Sequence, residues 1–197
     1  MESIAYVVTS GWASGISVYA TILVTGLIGR VGGVENVPEV LQRTDVLIAA
    51  AVLTAIEFVA DKIPYVDSGW DAVHTAIRPT LAALIGALLA GEANDLSGAV
   101  GAVLGGGTAL ASHAAKSGLR LAVNASPEPV SNIVLSLSEN AAVVAVLLFA
   151  VDHPWAALSI ALAFLFGAGL GVVMLFRRIV RAWERFWSRA TAPPPPP

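Results

Sequence analysis

The stretch "VLIAAAVLTAIEFVADKIP" (Val46 to Pro64) decides the fold class. Its first part is unbroken apolar sequence, the pattern of a helix that crosses a bilayer. Glu57, Asp61 and Lys62 then arrive where such a helix ought to carry no charge. Pro64 ends it, because proline disfavours helix at the residue before it and cannot continue the hydrogen-bond ladder. The segment therefore carries charges to the edge of a membrane or into it.

The rest of the chain repeats the pattern. Of 197 residues, 56% are hydrophobic and 13% charged, and the mean hydropathy is +0.77. Soluble domains carry about 25% charged residues, so the composition excludes an ordinary soluble fold. The expectation is an all-α, polytopic membrane helix bundle of about six spans, too short for two ordinary domains. There is no cysteine, which excludes disulfides, thiolate metal sites and a cysteine nucleophile. Met1-Glu2 opens without a basic n-region, so the first apolar segment is expected to stay as a helix.

The first candidate span runs from about Ile4 to Gly29, the second from Asp45 to Ile63, the fourth from Ser97 to Leu121 and the sixth from Trp155 to Phe176. "SGWASGIS" (Ser10 to Ser17) interrupts the first and sets its opening part apart as a half-helix. The third and fifth are short: "PTLAALIGALLAG" (Pro79 to Gly91) and "NAAVVAVLLFAV" (Asn140 to Val151) do not cross alone. A polar helical stretch precedes each, so two geometries stay open: a long helix kinked near Pro79 or Glu139, or a re-entrant half-helix before a short span. Both place polar groups inside the bundle.

Arg177, Arg178, Arg181, Arg185 and Arg189 follow the last span, which predicts a cytoplasmic C-terminus. With six spans the N-terminus is cytoplasmic too, and all basic residues except Arg30 and Arg43 fall on that side. The segments holding Glu92/Asp95 and Asp152 fall outside. The domain plan is a membrane bundle over 1–176, a basic amphipathic cytoplasmic helix over 177–190 and a Pro-rich disordered tail over 191–197. The amphipathic helix sets Ile179, Val180, Trp183, Phe186 and Trp187 against arginines spaced by four, which suits lipid headgroups or a stop-transfer anchor. "NVPEVLQR" (Asn36 to Arg43) reads as a short surface helix with Pro38 near its start.

Small residues four apart permit close helix contact at Gly11/Gly15, Gly101/Gly105 and Ala163/Gly167/Gly171. These pack the bundle itself, or, through Gly167 and Gly171, a homo-oligomer.

The remaining charges form a constellation. Glu57 and Asp61 share a helix face, as do Lys116 and Arg120 with His113 one turn earlier. Asp71, His74 and Arg78 fall on one face at i, i+3 and i+7, and Glu139 opens the apolar part of the fifth span. A single charge at the centre of a membrane helix costs roughly 2.5–3.5 kcal/mol. About six unpaired ones would exceed the 5–15 kcal/mol that stabilises a whole domain. They must be paired, near the interface or beside water. The expected pairing sets Glu57/Asp61 against Lys116/Arg120 and Arg78 against Glu139. Against it, Asp61, Lys62 and Arg120 could sit at the headgroups with side chains reaching outward. His74 and His113 have no further ligand at a metal-site spacing, and "GGG" (Gly105 to Gly107) lacks the strand and Gly-Lys-Ser/Thr of a phosphate loop.

"SGWASGISVY" (Ser10 to Tyr19), "EFVADKIPYVDSGWDAVHTAIRP" (Glu57 to Pro79), "SHAAKSGLRLAVNASPEP" (Ser112 to Pro129) and "HPW" (His153 to Trp155) resemble a bacterial membrane family catalogued as domain of unknown function 4126. The likeness reaches to about Phe176. It implies a small multi-pass membrane protein and carries no assigned activity or catalytic residue.

The functional expectation is a transporter or channel-like protein of the bacterial inner membrane. Its charged cavity, open to the cytoplasm, would be lined by Glu57, Asp61, Lys62, Asp71, His74, Arg78, His113, Lys116, Arg120 and Glu139, and would take a small polar solute or ion. The mixed signs favour a zwitterionic or anionic solute, or proton coupling, over a bare divalent cation. The competing reading is a structural or accessory membrane protein whose ion pairs fix helix packing. No nucleophile–base pair stands out, so no enzyme activity is expected; no cofactor, metal or nucleic-acid partner is implied, and the bilayer is the evident partner.

Overall fold

The computed structural model describes residues 2–32, 34, 37–63, 66–93, 97–124 and 129–190. They form α1 (Glu2–Gly32), α2 (Glu39–Gln42), α3 (Thr44–Ala60), α4 (Val66–Ala93), α5 (Gly98–Asn124), α6 (Pro129–Asp152) and α7 (Pro154–Ala190). Among the described residues there is no strand. Asp95, the side chains of Glu92, Ile179, Arg185, Phe186, Trp187 and Arg189, and the tail 191–197 lie outside them.

The arrangement is inside-out relative to a soluble protein. Among the described residues nine acidic, basic or histidine residues are buried, while Ile48, Val52, Phe58, Val103, Leu110, Phe164 and Phe166 are exposed. Water would favour the reverse; a hydrocarbon solvent favours this arrangement. Four helices, α1, α4, α6 and α7, carry stretches long and apolar enough to cross a membrane. The chain is a membrane-like helical protein.

α1 is the axis of the bundle and touches every other helix. It is apolar on all sides, as a helix surrounded by protein should be, and Ala5, Val7, Ala13 and Val18 are wholly buried. Its helical backbone breaks at Ser17, where φ is −150° and ψ is 99°. "SGWASGIS" thus ends one half-helix and opens the next, as the sequence indicates.

α4 and α6 decide between the two geometries open for the third and fifth segments in favour of the long helix. Each is one continuous helix, of 28 and 24 residues, and re-entrant half-helices do not form. The polar first half of α4 faces protein partners, so hydropathy alone understated its length. α7 likewise continues unbroken from its apolar part into the basic amphipathic part.

Glycines set the closest approaches. A Cβ added to Gly101 would lie 2.3 Å from the Gly86 carbonyl oxygen, and one on Gly105 2.6 Å from that of Ala82. Gly11 and Gly15 meet Gly105 and Ala109 in the same way. α1, α4 and α5 therefore form a tight trio through backbone contact. Gly167 has open space around it, and Gly171 faces Leu119.

Gly101→Ala should force α4 from α5 and lower stability by roughly 1–3 kcal/mol, the usual cost of overpacking. Gly167→Ala, whose new methyl meets nothing within 4 Å, should leave thermal unfolding in detergent unchanged. Equal melting of both variants would contradict the close α4–α5 approach.

Candidate functional site

The break in α1 generates the site. Extended backbone at Ser17 removes the donors that would have bonded the preceding carbonyls. Gly15, Ile16 and Ser17 are buried, and buried carbonyls need other partners. Lys116 Nζ donates to the Ile16 carbonyl at 2.9 Å, and Arg78 Nη1 reaches that of Gly15 at 3.3 Å. Two cations thus occupy the negative end of the first half-helix, where its dipole favours them. The second half-helix opens on Ser17, whose Oγ accepts the Ala20 N–H at 3.4 Å as a cap. The same hydroxyl donates to the Glu57 carboxylate, which sits at the positive end.

The cations are in turn held by carboxylates. Arg78 bonds Glu57 at 2.7 Å and lies 3.0 Å from Asp71; the latter contact is an ion pair without hydrogen-bond alignment. Lys116 pairs with Asp61 at 3.1 Å, and Arg120 with Asp61 at 3.0 Å and Glu139 at 2.8 Å. Arg120 also donates to the Asp61 carbonyl at 2.8 Å and approaches Asp67 at 3.6 Å. α4 supplies its members at i, i+3 and i+7 and α5 at i, i+3 and i+7 (His113, Lys116, Arg120), each from one face. α3 ends at Ala60, so Asp61 is delivered by the cap itself, its N–H bonding the Glu57 carbonyl.

Both histidines are tied in by hydrogen bonds, His113 as a neutral ring. Thr75 Oγ1 donates to the Asp71 carbonyl at 2.9 Å, so its oxygen accepts from His113 Nε2–H at 3.1 Å. His113 Nδ1 is then bare and accepts Arg78 Nη1 at 2.7 Å. His74 Nδ1–H donates to the Trp70 carbonyl at 2.7 Å, and its Nε2 meets the Tyr19 hydroxyl at 3.0 Å. The tautomers follow from these partners. Among the described residues, no group of three or more His, Asp or Glu is placed to hold a metal ion.

Nine of the ten predicted residues converge; Lys62 does not. It follows Asp61 and so points away from the network, its ammonium bonding the Phe58 carbonyl at 2.8 Å and lying over the Phe58 ring. The partners are also exchanged relative to expectation. Glu57 meets Arg78, not Lys116 or Arg120, and Glu139 meets Arg120 and Lys116, not Arg78. Asp61 with Lys116 and Arg120 is as expected. Asp61 and Arg120 are 1% and 2% exposed, so neither reaches outward. Sequence reasoning missed Asp67, Ser17, Tyr19 and Thr75. Ser17 was signalled by "SGWASGIS"; Asp67 lies one turn before Asp71, on the same face.

Beside the network, α5 and α6 meet sparsely, and α7 lines the gap. The resulting cavity is about 740 Å³, walled by residues such as Trp12, Leu119, Leu135 and Phe164. Of the ten candidates, Lys116 and Glu139 line it.

Residues 4–174 match the family described as a domain of unknown function, DUF4126. The chain belongs to that family. The matched region contains the break in α1, the whole network and the cavity. No curated protein and no solved structure matches the chain.

Arg78→Met leaves Glu57 buried without its cation and should cost about 3–5 kcal/mol, as breaking buried pairs does. Adding Glu57→Gln should restore part of that loss. Adding Glu139→Gln should restore much less, since Arg78 and Glu139 are not partners. Unfolding of the single and double variants in detergent measures both couplings, and a larger coupling to Glu139 would contradict the assignment.

Proposed function

We propose that this is a six-span protein of the bacterial inner membrane that carries a small solute across the bilayer. α3 and α5 cross along with α1, α4, α6 and α7, and both termini are cytoplasmic. The observation that carries the reading is the break in α1 at Ser17, flanked by cations at one half-helix end and a carboxylate at the other. Discontinuous helices whose ends face charge are how transporters present midplane sites. The ends are held by side chains from α3, α4 and α5, so a shift of either half-helix exchanges salt-bridge partners rather than stranding a charge. Arg120, with three carboxylates in reach, is the evident point of exchange. The cavity beside Lys116 and Glu139 provides the space for a solute.

The second reading, a structural or accessory protein with sealed ion pairs, is favoured by one observation: Glu57, Asp61, Arg78, Lys116 and Arg120 are each no more than 3% exposed. The two differ in whether water ever reaches the network. The chain has no cysteine, and Ser→Cys is nearly isosteric, so Ser17→Cys and Ser112→Cys report on it directly. Ser112 bonds the Trp12 carbonyl at 2.8 Å beside the cavity. A carrier should expose both thiols to a membrane-impermeant reagent from the cytoplasmic side within minutes in native membranes. Protection over hours, with the denatured protein labelling normally, would leave the structural reading in place.

A further inference from the structure

α1 is long enough to cross a membrane once, but its two halves do not run in one direction. The first half runs alongside α5 and parallel to it. Gly11 meets Gly105 and Gly15 meets Ala109, and Ser112 and Lys116 bond the Trp12 and Ile16 carbonyls in the same order. The second half runs against α3. Ser17 bonds Glu57 near the end of α3, Gly26 meets Leu47, and Arg30 Nη1 donates to Thr44, the first residue of α3, at 2.9 Å. α3 and α5 finish side by side, where Asp61 pairs with Lys116 and Arg120.

These directions bring the two ends of α1 together. Glu2, Ser3 and Tyr6 line one small pocket with Val34 and Val37, which lie just past the other end. Its volume is about 110 Å³. An unbroken helix would instead hold positions 3 and 34 about 46 Å apart, at 1.5 Å per residue. The side chains of Tyr6 and Thr25 also meet. The chain therefore reverses at Ser17, and the two half-helices are the arms of a V with the charge network at its apex.

Each arm is about 15 residues, or roughly 22 Å, short of the ~30 Å hydrocarbon core. The arm ends lie level with Leu89, Ala150 and Pro154, near the α4–α5 and α6–α7 connections. α7 starts there and carries Arg177, Arg178 and Arg181 to the opposite face. Basic residues collect on the cytoplasmic face, which puts the arm ends outside. A backbone break at membrane depth is tolerated where protein encloses it, and the apex residues 14–18 are all buried. Between apex and outer face the arms fill the bundle: Ala5, Val7, Thr9, Ala13, Thr21 and Thr25 are wholly buried.

We propose that α1 is a re-entrant hairpin that enters from the outer face, turns at Ser17 and returns, sealing the charge network from outside and leaving the cytoplasmic side as its approach. Five helices, α3 to α7, then cross, and Glu2 lies outside, opposite the basic end of α7. The proposal deepens the carrier reading and rests on it for the passage of a solute. It replaces two particulars of that reading, the crossing of α1 and the side on which α1 begins, and keeps the break and its charged ends.

Single cysteines in this cysteine-free chain test it, in sealed right-side-out membranes treated with a membrane-impermeant maleimide. Glu2→Cys, Val31→Cys and Glu184→Cys all replace exposed residues, so none disturbs the core. Glu2→Cys and Val31→Cys should both label from outside, and Glu184→Cys only after permeabilisation. Labelling of Val31→Cys from outside and of Glu2→Cys only after permeabilisation is the pattern of a single crossing and would overturn the proposal. So would Glu184→Cys labelling from the same side as Glu2→Cys. Spin labels on the Glu2→Cys/Val31→Cys pair, in protein reconstituted into lipid, measure the reversal itself. The hairpin requires a separation less than half the roughly 44 Å of a continuous helix; a separation near that length overturns it whatever the maleimide result. Neither readout involves transport, so a chain that meets both expectations and moves no solute keeps the hairpin and loses the carrier reading.

Discussion

One residue of extended backbone, Ser17, sits in the most enclosed helix of the bundle, and much of the structure follows from it. Free carbonyls in a water-poor interior need donors, and here the donors are Arg78 and Lys116. Placing two cations there calls for carboxylates, supplied by Glu57, Asp61 and Asp71. Those carboxylates lie on α3, α4 and the turn between them, so the break draws α3, α4 and α5 around α1. Each requirement creates the next, and the chain of requirements ends at Arg120 and Glu139, beside the cavity.

Packing supplies the geometry that this electrostatics needs. Gly86, Gly101 and Gly105 bring α4 and α5 into backbone contact, which sets Arg78 within reach of His113 and Glu57. Gly11 and Gly15 hold α5 equally close to α1, so Ser112 and Lys116 reach α1 carbonyls. Among the described residues no such stripe joins α5 to α6. Larger residues, Leu119 and Leu135 among them, border the gap instead, and the cavity is the space left over. Tight packing on one side of α5 and loose packing on the other thus place a rigid charged cluster next to open volume.

How much of this was legible in the sequence depended on whether a property is local. The apolar runs, the convergence of charged residues and the interruption in the first span are local, and "SGWASGIS" marked the break correctly. The lengths of α4 and α6 were legible only as one of two alternatives, because hydropathy scores a side chain without knowing what it faces; Asp71 and His74 look like interruptions and instead find partners inside the bundle. The pairing within the network was not legible either. Spacing along one helix fixes which residues share a face, but depth relative to other helices decides which faces meet. Arg78 lies level with the break in α1, and so meets Glu57 rather than Glu139. Lys62 stands apart for a simpler reason: it lies in the turn beyond the end of α3, where its ammonium folds back onto the Phe58 carbonyl and ring.

The central claim is that α1 is broken at Ser17 and that buried charges hold its two ends. Magic-angle-spinning NMR of the protein in lipid bilayers measures this most directly, through Cα and Cβ shifts of residues 14–20 and dipolar recoupling between Arg78 guanidinium nitrogen and Glu57 carboxyl carbon. The account predicts an extended-type shift at Ser17 between helical neighbours and strong recoupling, consistent with the 2.7 Å contact. Uniformly helical shifts through Ser17, with no recoupling between Arg78 and Glu57, would contradict it.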